Sequence, residues 1–129
     1  MITTNTVRNL LSISDRAPFD RLTETELLLV SRHVHRRRFA PGEVIQAEGM
    51  IAEKLIIVVE GKVLLGGQPA PDIFDAESAL FGLPAQADYV AGPDGVEALC
   101  LAKPHLFTIA RECPDFIVGL AAAGGSAPQ

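Results

Sequence analysis

The chain has 129 residues, 48% of them hydrophobic, and a formal net charge of −5. That is enough apolar material for one domain with a buried core, and it excludes disorder over most of the length. The acidic balance speaks against a general nucleic-acid binder, and no apolar run reaches the ~20 residues of a membrane span.

The start, "MITTNTVRNLLSISDR", lacks the apolar core of a signal peptide, so a cytoplasmic protein with neither a membrane nor a DNA partner is expected. Val7, Leu10, Leu11 and Ser14 fall at helical spacing. Pro18 suits the first turn of a short helix. Thr23 and Glu26, three apart, form the pattern of a capping box and predict a helix over 24–32.

After Ser31 the texture changes. "HVHRRRF" reads as a strand, and its basic run, 33–38, as a solvated face rather than a phosphate patch. Pro41-Gly42 signals a turn. "EVIQAEG" reads as a strand closed by Gly49. "KLIIVVEG" is the strongest strand, apolar enough to be buried on both faces and ended by Gly61. "KVLLGG" reads as a further short strand, "GPDG" at 92–95 as a simple turn, and "VEALCLA" as the last strand. Pro104 and Pro114 each open a helix, and "GGSAPQ" reads as a disordered tail. Cys100 and Cys113 lack a CxxC spacing and read as reduced thiols rather than a metal or redox pair. With no repeat and no linker, one domain over 1–129 is expected: helices over 7–32, a β region over 33–102, helices over 103–123 and a tail over 124–129.

The run "F-APGEVIQAEG", then five residues, then "LIIVVEGKVLL", resembles the opening of the cyclic-nucleotide-binding domain family. That family includes the sensor halves of catabolite-activator-type regulators and of cyclic-nucleotide-gated channels. The resemblance extends over residues 7–120 and implies an α+β fold, an antiparallel, jelly-roll-like β-roll flanked by N-terminal and C-terminal helices. Gly42, Gly49 and Gly61 stand at its three turn positions. There a tight reversal favours the positive φ that only glycine adopts cheaply.

In this family a Phe-Gly-Glu run enters a short helix whose amides face the cyclic phosphate. A glutamate takes the ribose hydroxyl, and an arginine pairs with the phosphate. "FDAESALFGLPAQADYV", residues 74–90, falls on that cassette. The ligand-binding set it implies is Phe74, Ala76, Glu77, Ser78, Gln86 and Ala87. Ala76 replaces the glycine, Glu77 matches the ribose glutamate, and Gln86 stands where the arginine is expected. No Lys or Arg occurs between Lys62 and Lys103. Losing one partner of a buried charge pair commonly costs ~2–5 kcal/mol. Asp75 and Asp88 add local negative charge, which repels an anion.

The resemblance, with this departure, implies a non-catalytic regulatory module without a cofactor. Its cyclic-phosphate site is weakened or lost, and it acts on a protein partner or as a homodimer. Only ~15 residues follow Pro114, so no DNA-reading helix is expected unless the sequence is a fragment of a longer chain. A genuine cAMP, cGMP or other nucleotide sensor with altered contacts is the alternative. A remote one is a cupin-like metal enzyme using His33 and His35 at alternate strand positions with Glu43; His105, on a predicted helix, is poorly placed to join them.

Overall fold

The structure, a computed structural model, describes residues 7–9, 11, 14, 19–114 and 116. A short 3-10 turn, Phe19–Arg21, precedes helix α1 (Glu24–His33). Strands β1 (Val34–Phe39), β2 (Val44–Gln46), β3 (Lys54–Leu65), β4 (Gln68–Pro69) and β5 (Ile73–Phe74) follow. Helix α2 (Ala76–Phe81), strand β6 (Tyr89–Ala102) and helix α3 (Lys103–Glu112) complete the order.

The capping box forms as the sequence predicts. Glu26 N–H donates to the Thr23 hydroxyl at 3.1 Å, and Thr23 N–H donates to the Glu26 carboxylate at 2.9 Å. The helix runs one residue past the expected end and takes in His33, which therefore does not belong to the following strand. Of the helix expected near the N-terminus, Val7, Arg8, Asn9 and Leu11 are helical and the rest lies outside the described residues. Pro114 and Phe116 are helical too. The remainder of the expected C-terminal helix and the tail over 124–129 lie outside the described residues.

All the strands form one antiparallel sheet, ordered β1-β6-β3-β4, with β2 also on β6 and β5 on β3. Two sequence expectations are corrected here. Gly61 does not end a strand: "KLIIVVEG" and "KVLL" are one strand, β3, running through it. "GPDG" is no simple turn but lies inside β6. The two corrections share one cause. Between Gly61 and Val63 the partner on β6 jumps from Val96 to Ala91, so the extra residues of β6 bulge out of the ladder. Gly61, at φ 91°, sits under that bulge, and a Cβ there would collide with the Gly95 carbonyl oxygen. Gly42 and Gly49 have φ of 80° and 83° in turns with open space around them.

Alternation along the strands gives the sheet two apolar faces. Leu55 and Ile57 of β3, with Leu99 and Leu101 of β6, pack under α1 and α3 against Val30, Leu106 and Ile109. Ile56 and Val58, with Phe39, Phe74, Ala98 and Cys100, line the concave face of the roll. The apolar run in β3 is thus buried on both faces, as its composition implied, because each residue feeds one of two cores. Burying one such side chain stabilises by roughly 1.5–3 kcal/mol. The result is an α+β fold, an antiparallel β-roll not closed into a barrel, with helices packed on its outer face.

Candidate functional site

The concave face is built by residues of β1, β6, β3 and β5, and β5 leads directly into α2. On β1, alternate residues separate. Arg36 and Arg38 lie on the same face of the strand as Val34, and each pairs with Glu97, at 2.6 and 3.2 Å. The Arg36 hydrogen bond, then the charges of the three nearby arginines, hold the Glu97 carboxyl below the usual carboxylate range. Arg37 shares the other face with Phe39: its guanidinium lies 4.4 Å over the Phe39 ring and 3.3 Å from Glu43. The basic run is therefore not one solvated face.

Arg37 and Lys54, from β1 and β3, line a cleft of about 240 Å³ at the mouth of the roll, together with Asp75 and Cys100 over Ile45 and Ile56. Residues 63–102, around the cassette, supply no cation of their own. The cations come instead from other strands, brought in by the register. Strand alternation carried the signal, since Arg37 must share a face with Phe39, and Lys54 with Ile56.

Asp75 is the N-cap of α2, at φ 76° in the left-handed region, uncommon outside glycine and more tolerated by Asp than by most residues. Its carboxylate does not cap the helix. Burial pushes its pKa up to about 7. Beside it, Phe74 stacks parallel on Tyr89, with ring centroids 4.2 Å apart and planes 4° apart. Burial, then the charges of Asp75 and Glu77, push the Tyr89 phenol up. Two carboxylates therefore act on the end of the roll where α2 begins.

The expected set divides. Phe74, Ala76 and Ser78 are buried, and Glu77 is half-buried in the first turn of α2. The Ser78 hydroxyl accepts Ala52 N–H at 2.8 Å, which ties α2 to the segment before β3. Gln86 is exposed and Ala87 half-buried. The chain around them is clasped to the turn after β2: Gly49 N–H donates to Ala85 O at 2.8 Å, Ala85 N–H to Met50 O at 3.0 Å, and Glu48 N–H to the Asp88 carboxylate at 2.7 Å.

The histidine pair is corrected. His33 ends α1 and stacks on His105 of α3, with centroids 3.9 Å apart and planes 16° apart, while His35 stands on β1 opposite Cys100. The two imidazoles therefore do not occupy alternate positions of one strand. Among the described residues, no group of three or more His, Cys, Asp and Glu is placed to hold a metal ion. Nor, among them, is any helix long and apolar enough to cross a membrane.

Solved structures share this architecture. The catabolite activator protein of Thermus thermophilus is 28% identical, with a TM-score of 0.66 over 81% of this chain and 54% of its own. The regulatory domain of Toxoplasma gondii PKA, solved with cAMP, is 18% identical, with a TM-score of 0.75 over 92% and 50%. The cAMP-bound PfPKA-R is 14% identical, with a TM-score of 0.67 over 81% and 41%. No protein-family model and no curated protein matches the chain. The chain has the fold of a cyclic-nucleotide-binding domain. It spans about half the length of the solved chains it matches.

Proposed function

We propose that the chain is a non-catalytic regulatory module of the cyclic-nucleotide-binding type whose cyclic-phosphate site has been lost. It acts through protein contact, in the cytoplasm. The observation that carries the reading is Asp75. Where the resemblance puts the phosphate end of the roll, this chain presents the Asp75 carboxyl, which lines the cleft, is partly buried and makes no capping bond to α2. Residues 63–102, which contain the cassette, supply no Lys or Arg. The exposed position of Gln86 adds nothing to offset that charge. Contact with a protein is supported by Met50, Ile51, Phe81 and Leu83, which are exposed where the turn after β2 is clasped to the chain after α2.

Calorimetric titration with cAMP and cGMP tests the reading. No saturable heat is expected at nucleotide concentrations up to about 100 μM, where a native sensor site saturates. A low-micromolar or tighter dissociation constant for either nucleotide overturns it.

A further inference from the structure

We propose that the cleft at the mouth of the roll binds a small zwitterion with an apolar side chain, of the α-amino-acid class, with its ammonium group on Asp75 and its carboxylate on Lys54. The inference rests on the loss of the cyclic-phosphate site argued above and names what replaces it.

The placement follows from register. Ile56 on β3 pairs with Phe74 on β5, antiparallel, so the chain neighbours Lys54 and Asp75 fall at the same end of this pairing. Both line the cleft, Lys54 from an exposed position, and the exposed Glu53 lines it too. Yet among the described residues neither forms an ion pair, although the arginines of β1 all do. Opposite charges share one cavity without meeting, so a dipolar guest can bridge them. Arg37, which also lines the cleft, is already held by Glu43 and the Phe39 ring. Lys54 is the cation left to receive a carboxylate.

Asp75 adds a second, independent indication. It combines a left-handed backbone with a carboxyl taken partly out of water, and its side chain makes no capping bond in return. A strained backbone and a partly buried carboxyl at one residue in the cleft are the combination found at ligand-binding positions. A cationic ligand group relieves the desolvation. An anion alone meets Asp75, and a cation alone leaves Lys54 unmatched.

Phe39, Ile45, Met50, Ile51 and Ile56 give the cleft an apolar lining, which favours an aliphatic side chain over a polar one. The volume of about 240 Å³ lies below the ~300–1,000 Å³ of drug-sized sites and well above the ~30 Å³ share of one water. That suits a molecule of amino-acid size.

The test uses L-leucine and two halves of it: isocaproate, which lacks the ammonium group, and isoamylamine, which lacks the carboxylate. Each is titrated into the full chain and followed by amide NMR shifts. Leucine is expected to bind saturably, with shifts centred on Lys54, Asp75 and Cys100, and each half to bind at least about tenfold more weakly. Asp75→Asn is expected to weaken leucine about tenfold or more and to tighten isocaproate, whose carboxylate no longer meets a like charge. Lys54→Gln is expected to weaken leucine and leave isoamylamine unchanged. Absence of leucine binding at about 10 mM overturns the proposal, as does equal binding of leucine by the native chain and both variants. Parallel titration with cAMP separates the two readings. Tight cAMP binding defeats the loss of the phosphate site, whereas silence towards both ligands defeats only the amino-acid site.

Discussion

Asp75 shows how much one residue can hide in a sequence. As a letter it is one more negative charge near the cassette. Its left-handed φ and its burial exist only once β5 has paired with β3 and α2 has folded over the mouth of the roll. Its consequence for stability has a definite sign. The carboxyl ionises near 3.8 in the unfolded chain and near 7 in the folded one. Stability from this group is therefore complete below pH 3.8 and declines as pH rises to about 7. A shift of that size corresponds to at most ~4 kcal/mol, and because the side chain is only half-buried, solvent screening reduces the expected effect to ~1–2 kcal/mol. Asp75→Asn keeps a residue that tolerates the left-handed region and removes the charge. The variant should melt above the native chain at about pH 8 and together with it at about pH 3.5, in thermal unfolding at both values in matched salt. An equal gain at both pH values would show that the backbone, not the charge, is responsible. Gly61 makes a parallel case in steric terms. The sequence marks it as a glycine at a strand end, but the reason for it lies on β6. Gly61→Ala should cost about 3 kcal/mol or more, because the new Cβ meets the Gly95 carbonyl. Gly49→Ala, with equal strain but open space, should cost only about 1–2 kcal/mol. Urea denaturation of the two variants ranks them, and a reversed order refutes the bulge explanation.

Elements were legible where their causes are local. The capping box of α1 needs only Thr23 and Glu26, and the two-faced burial of β3 follows from its apolar run. The length of β3 was not legible, because a bulge is a property of two strands and the sequence shows one at a time. The end of α1 was missed by a residue for a similar reason. His33 stays helical while stacked on His105, a partner 72 positions away in the chain. That seam between α1 and α3 carries a pH dependence opposite to that of Asp75. Burial, then the charges of His105, Arg32 and His35, lower the His33 pKa below 6.5. The folded state prefers neutral His33, so its contribution is complete above pH 6.5 and is lost as pH falls towards the lowered value. His105→Gln removes the repulsion from the facing ring. Its midpoint should fall less steeply than the native one as pH drops below 6.5, and the His33 ring should titrate at higher pH by NMR. An unchanged His33 titration would mean that the stack does not couple the two rings. Because the two groups act in opposite directions across overlapping ranges, the native pH profile alone conceals both, and the single variants reveal them.

At the scale of the molecule, the sheet is a wall between two cores: one holds the helices and the other forms the concave face. The glycine pattern located that face and the cassette beside it. The charges that meet there were not legible, because Arg37, Lys54 and Asp75 are separated in sequence and joined only by register across the sheet. The overall charge of −5 points the same way as the local one for any polyanion, so a mobility-shift assay with duplex DNA at physiological ionic strength should show no specific complex. The electrostatics also set what it takes to recover a cyclic nucleotide. Gln86→Arg places a cation on an exposed segment while Asp75 still holds its carboxyl in the cleft, so this change alone should raise cAMP affinity by less than about tenfold. Asp75→Asn removes the repulsion but supplies no partner for the phosphate, so alone it should also give less than about tenfold. Together they should exceed the product of the single effects, because a guanidinium–phosphate contact strengthens once a neighbouring carboxylate no longer competes for it. Adding Glu77→Ala to the double variant should then weaken binding again if Glu77 accepts the ribose hydroxyl. Calorimetry of the native chain, both singles, the double and the triple variant closes the cycle. Additive singles would mean that Asp75 and Gln86 act on separate sites, and affinity unchanged by Glu77→Ala would remove Glu77 from the ligand set.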